Sequence, residues 1–286
     1  MMDETEFLSA LRTLPLHPGA RQLRDDCALI EIGGETLIFN HDTMTEDVHF
    51  RPNADLADVA YKLVAINLSD LASKGAEPVG ILLGHSLGGN DGRFIEGLRE
   101  VTAEFSVPLM GGDTVAATGA STYAVTAVGR ATSRPVPSRT SAEIGQGVFV
   151  TGPVGRAMLG FEGHPEHLAN FNRPRPRLTE GRALAPLVGA MMDVSDGLLL
   201  DAFRLANASN VSLALDSTLI PVADPARADE CMRWGDDYEL LFTAARDVRL
   251  PVAATRIGQV EPRGFAPLVL DGEPVLNSAG LGYSHG

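Results

Sequence analysis

The 286-residue chain is 44% hydrophobic and 21% charged, ordinary values for a globular protein with a real core, and its length favours two domains. Its formal net charge of -14 leaves no electrostatic footprint for nucleic acid or for an anionic membrane surface, and neither is an expected partner. The two cysteines, Cys27 and Cys231, form no CxxC; the N-terminus MMDETEFLSALRTL is acidic where a signal peptide is basic; no apolar run approaches ~18 residues. A cytoplasmic protein with reduced thiols is the expectation.

Phe7, Leu8, Leu11 and Leu14 recur at roughly helical spacing and predict a short helix over 4–13. Gly33-Gly34, between CALIEI and ETLIF, predicts a β-hairpin, with NHDTMTEDVHF (40–50) read as a loop beyond it. That hairpin delivers Asp26 at one end and Asp42 at the other. A long helix follows over 55–76, then a strand over 77–87 and a helix over 91–105 with Phe94, Ile95, Leu98, Val101 and Phe105 on one side. Residues 107–114 read as a short buried strand ending in Gly111-Gly112-Asp113, and 122–131 as a further strand.

Between 131 and 146 the composition shifts to Pro, Ser, Arg and Gly, which marks a domain boundary and divides the chain into 1–138 and 139–286. The second half is predicted as a strand (147–152), a Gly-rich turn and helix (153–161), a polar Pro-rich connector (162–178) and a helix over 179–190. A strand (190–196), a helix (197–209), a strand (211–216) and a loop follow, then strands at 238–244, 253–260 and 267–272. Helices and strands alternate in both halves, so the class is α/β, or α+β-like, with mixed sheets.

Five stretches set carboxylates beside an apolar run: LRDDCALI (Asp25, Asp26), LIFNHD (Asp42), LVAINLSDLASKGA (Asp70), VPLMGGD (Asp113) and MMDVSDGL (Asp193, Asp196). Singly, such an aspartate is more often a cap or turn residue than a ligand. Six of them, Asp26, Asp42, Asp70, Asp113, Asp193 and Asp196, point together to convergence on one acidic, metal-loaded site, because aspartate is rarely buried unless it is paired or holds a metal. No P-loop is present, since neither Lys62 nor Lys74, the only lysines, follows a glycine, and no convincing GxGxxG or GxSxG occurs. If the protein handles phosphates, it must do so with arginine, backbone amides and metal ions, and several Mg²⁺ ions held by such carboxylates can offset a triphosphate's charge without a lysine. His164 and His167 read as a solvated loop, and Arg173, Arg175 and Arg177 as a loop face rather than a phosphate clamp.

The motifs DDCALI, HDTMTEDVHF, KLVAINLSDLASKGAEP, LMGGDT, DVSDGL and GDDYELLFT stand in the order seen in thiamine-monophosphate kinases, of the aminoimidazole ribonucleotide synthetase superfamily. The resemblance runs from about residue 20 to Tyr283. It implies a two-domain fold whose N-terminal α/β domain contributes strands to a barrel across a homodimer and whose C-terminal α/β domain closes over ATP. It also implies transfer of the γ-phosphoryl of ATP to thiamine monophosphate. Asp26, Asp42, Asp70, Asp113 and Asp193 match the family's magnesium ligands and Asp196 a further metal-binding Asp. Gly112 and Asp113, Arg139 and Ser195 match nucleotide contacts, and His49, Asp236 and Tyr283 match contacts to the thiamine phosphate.

Three departures stand out. Asn40-His41 replaces a Ser-Thr pair that helps hold metal in the family, which puts His41 at a metal position. Arg24 replaces a glycine. The family's Gly-Gly-Glu-Asp-Tyr-Glu-Leu becomes Trp234 to Leu240 with Asp236 for the Glu, which reshapes the acceptor pocket. Two alternatives follow: a divergent paralogue that phosphorylates another small phosphorylated metabolite, and a nucleotide-binding protein without turnover.

Overall fold

A computed structural model of the chain describes residues 4–116 and 118–283. Helix α1 (Glu4–Leu11) leads to the hairpin of β1 (Ala28–Ile32) and β2 (Glu35–Thr45), closed by Gly33 and Gly34 at φ 59° and 86°. That left-handed pair suits the tight turn between twisted strands. Next come α2 (Leu56–Ser73), β3 (Ala76–Leu87), α3 (Asp91–Glu104), β4 (Leu109–Ala116) and β5 (Thr122–Ala131). The five strands form one sheet in the order β1-β2-β5-β3-β4, antiparallel except for the parallel β3/β4 pair.

Helix α2 organises this half. Asp55 caps it, its Oδ1 accepting from the Ala57 amide at 3.0 Å, and Gly75 ends it at φ 61°. Fourteen of its residues are buried, on every side. A helix apolar all round belongs in an interior, and α2 packs on the first sheet with one face and on the second half of the chain with the other. Gly97 lets α3 approach it, since a Cβ there would lie 2.1 Å from the Ala57 carbonyl oxygen.

The second half holds β6 (Gly147–Val150), α4 (Arg156–Glu162), α5 (Leu168–Asn172), α6 (Leu178–Leu184), β7 (Val188–Asp193), α7 (Leu198–Ser209), β8 (Val211–Leu215), α8 (Ala228–Arg233), β9 (Leu240–Ala244), β10 (Thr255–Pro262), β11 (Leu268–Leu270) and β12 (Glu273–Val275). Its strands make a mixed sheet ordered β12-β11-β8-β10-β6-β9-β7. The fold is therefore α/β with two mixed sheets. The sheets themselves form no closed barrel among the described residues.

Several local expectations change. The segment read as a loop from residue 40 is strand as far as Thr45, because β2 keeps pairing with β5 through Thr45 and Thr122. Its α2-facing side carries Asn40 and Asp42 among Ile38 and Met44, so polar residues interrupt the apolar alternation that marks a strand. The helix expected over 179–190 ends at Leu184 and gives way to β7. Helix α5 lies in the connector and α8 in the expected loop, both too short for helical periodicity to register.

Candidate active site

A cleft of about 810 Å³ opens where α2, β2, β7 and the segment 233–238 meet. Its lining includes Asp26, Asp42, Asp70, Asp193, Ser195, Asp196, Arg139, His49, Asp236 and Tyr283, which the sequence places up to 257 positions apart. One oxygen each from Asp26, Asp70 and Asp193 lies within 4.8 Å of the others. Asp70 projects from α2, Asp193 ends β7, and Ser69 donates to Asp193 Oδ2 at 2.6 Å, tying the helix to the second sheet. Asn40 holds the other side, its Nδ2 donating to Asp70 Oδ2 at 2.8 Å, Asn67 Oδ1 at 3.1 Å and Asp42 Oδ2 at 3.3 Å.

The acidic groups are electrostatically strained. Burial pushes Asp42 up to about 6, the hydrogen bond with Asp70 opposing and the charge of Asp193 adding to the rise. Burial, reinforced by the charges of Asp193 and Asp42, holds Asp70 well above the carboxylate range. Burial also raises Asp193, against Ser69, Arg139 and Lys74. On the other flank the balance reverses: burial works to raise Asp25, but Lys74 and Arg21 outweigh it. Asn40 Oδ1 is buried with no hydrogen-bond partner among the described residues. Hard, mutually repelling oxygens beside an orphaned acceptor fit a divalent cation of the Mg²⁺ type, which prefers such ligands.

Asp196 turns toward Arg204, and the buried Asp201 accepts from the Ser195 and Asp196 amides at 3.1 Å, fixing the turn that presents them. Beyond the carboxylates the cleft becomes aromatic. Phe161 packs on Trp234 at 5.2 Å and on Phe171 at 5.3 Å, with Arg51 over Phe161 and Lys62 over Phe171 at 3.9 Å. Lys62 Nζ also reaches Asp236 Oδ2 at 2.7 Å. His49 Nδ1 accepts from the Thr45 amide at 3.0 Å, which places the neutral ring's proton on Nε2.

Three expected residues lie elsewhere. His41 sits between Asn40 and Asp42 on a strand, so alternation turns it to the opposite face, where its ring bonds Thr126 at 2.8 Å. It does not join the carboxylates, a correction to its expected metal role. Gly112 and Asp113 lie on β4, the sheet edge: Asp42 pairs with Val125, Val125 with Leu83 and Leu83 with Gly112. Three strand spacings separate Gly112 from Asp42, roughly 14 Å. Arg173 and Arg177 bind Asp58, Glu100 and Glu239, ties within the fold. The motif reading gave no role to Lys62, Asp201, Phe161 or Phe171; an aliphatic stretch that keeps a lysine was the available signal for the first.

Residues 24–131, the stretch that holds the whole first sheet and α2, match the family of the AIR synthase related protein, N-terminal domain. The thiamine-monophosphate kinase of Escherichia coli (strain K12) is 33% identical over 300 residues, covering 91% of this chain and 90% of that protein; the Caulobacter vibrioides enzyme of the same name is 34% identical over 269 residues, covering 83% and 76%. The crystal structure of thiamine-monophosphate kinase from Stenotrophomonas maltophilia K279a superposes with a TM-score of 0.75 at 32% identity, covering 90% of this chain and 95% of that one. The fold of AaThiL complexed with AMPPCP and TMP agrees with a TM-score of 0.89 over 99% of this chain and 97% of that one, at 24% identity. The chain belongs to the thiamine-monophosphate kinase family. Among the described residues no helix is long and apolar enough to cross a membrane.

Proposed function

We propose that this chain transfers the γ-phosphoryl of ATP to the phosphate of thiamine monophosphate, giving thiamine diphosphate. The observation that carries this reading is a single cleft that joins a hard-oxygen cluster of Asp26, Asp70 and Asp193, with Asp42 and Asp196 also lining it, to an aromatic compartment with Lys62 and His49. Family membership supports it. Bound Mg²⁺ ions would neutralise the phosphate charge that builds up during transfer. The carboxylates hold them, Arg139 reaches the nucleotide phosphates and Ser195 the nucleotide, while His49, Asp236 and Tyr283 position the acceptor. Its attacking oxygen is already anionic, so positioning and charge neutralisation are the work left to the protein.

The working form in this reading is a homodimer of two-domain subunits, divided at residue 139. Strand β4 is exposed along its whole length, with Leu109 at 53%, Met110 at 49% and Val115 at 52%, and a long apolar edge strand is a liability unless it is covered. A second copy pairing there would complete an intersubunit barrel and bring Gly112 and Asp113 to a nucleotide site that they do not reach within their own chain. Incubation with ATP, Mg²⁺ and thiamine monophosphate, read by mass spectrometry, tests the activity. Thiamine diphosphate is the expected product; ATP binding without product would turn the search to another phosphorylated acceptor.

A further inference from the structure

The chain has only two lysines, and both are buried against carboxylates of the cleft. Lys74, just past the last turn of α2 and four residues after Asp70, has a side chain with no exposed surface. Its Nζ lies 2.6 Å from Asp25 Oδ1, 2.7 Å from Asp26 Oδ2 and 3.3 Å from the Met191 carbonyl oxygen. Three acceptors match the three donors of an ammonium group. Arg139 takes Asp26 Oδ1, and Arg21 takes Asp25 Oδ2. Both oxygens of each carboxylate are thus engaged by protein cations.

The carboxylates therefore differ in how they are compensated, although one oxygen of Asp26 lies within 4.8 Å of oxygens of Asp70 and Asp193. On one flank, Asp25 and Asp26 face Lys74, Arg21 and Arg139, two negative charges against three positive. On the other, Asp42, Asp70 and Asp193 form no ion pair among the described residues, and their side-chain hydrogen-bond donors, Asn40 and Ser69, are neutral. A divalent ion gains most on the second flank and is least needed on the first. Arg139 is 20% exposed and can leave for a phosphate, whereas Lys74 is held within the core and stays.

We propose that Lys74 is a resident cation that takes the place of one divalent ion on the Asp25–Asp26 flank, so that Asp26 serves the lysine and Mg²⁺ is confined to Asp42, Asp70 and Asp193. This rests on the phosphotransfer reading of the cleft. Lys74 is a positioning residue: it keeps Asp26 neutralised when Arg139 turns to the nucleotide.

The test is the number of Mn²⁺ ions bound per chain in the presence of a non-hydrolysable ATP analogue, counted by electron paramagnetic resonance of free Mn²⁺. Lys74→Met should bind one more ion than wild type, and Lys74→Arg the same number as wild type. Asp26→Asn should keep the wild-type count, whereas Asp70→Asn loses at least one ion. Asp26→Asn decides the matter if Lys74→Met does not fold, because loss of an ion there makes Asp26 a metal ligand and overturns the proposal. An equal count in wild type and folded Lys74→Met overturns it as well. If wild type with the analogue binds no Mn²⁺, the phosphotransfer reading fails and takes this inference with it.

Discussion

Asp70→Asn separates the cost of the acidic cluster to the fold from its use in chemistry. An oxygen of Asp70 lies no more than 4.8 Å from one of Asp193, and at an effective dielectric near 20 two unit charges at that distance repel by about 3 kcal/mol. Repulsion from Asp26 is left out because Lys74 and Arg139 neutralise that group. Asparagine keeps the shape and can still accept from Asn40 Nδ2, so the metal-free variant should be more stable than wild type where both carboxylates are ionised. At about 2 °C per kcal/mol for a chain of this size, its melting midpoint should rise by roughly 6 °C. Turnover should fall on the order of a thousandfold, since several kcal/mol of charge stabilisation in the transition state are lost with the metal. Thermal unfolding in EDTA at alkaline pH, repeated with Mg²⁺, measures the first effect, and the thiamine diphosphate assay measures the second. A lower midpoint in EDTA, or turnover near wild type, would refute the assignment of Asp70 to a strained metal cluster.

Two further outcomes follow from the same charges. Asp42 is raised to about 6, Asp201 and Asp237 to about 7, all by burial first, so the folded state holds protons that the unfolded chain has released. Their stabilising contribution is complete below the ordinary carboxylate range and is lost as pH rises through about 6 to 7. The metal-free protein should therefore melt lower as pH rises through that window, and Mg²⁺, which competes with protons for Asp42, Asp70 and Asp193, should raise the midpoint more on its alkaline side. A Mg²⁺ shift of equal size on both sides would contradict this. Lys62→Met removes the ammonium group 2.7 Å from Asp236 and 3.9 Å from the Phe171 ring centre. It should raise KM for thiamine monophosphate about tenfold, near 1.4 kcal/mol, and leave KM for ATP unchanged; a parallel rise in both would place Lys62 outside the acceptor compartment.

The long helix over Leu56–Ser73, the Gly33-Gly34 hairpin and the alternation of helices with strands were legible in the chain because each rests on local physics: a cap, a left-handed turn, a buried apolar run. So were the aspartates that line the cleft, since a carboxylate set against an apolar run must be compensated wherever it ends up. Which of them meet was a different matter. Strand alternation sends His41 away from its neighbours Asn40 and Asp42, and sheet order leaves Asp113 three strands from Asp42, facts of register that no single segment contains. Lys74 reads in sequence as one more residue at a helix end. Only the packing of α2 between two sheets brings it under Asp25, Asp26 and the Met191 carbonyl, 117 residues on, where burial turns an ordinary side chain into a fixed charge.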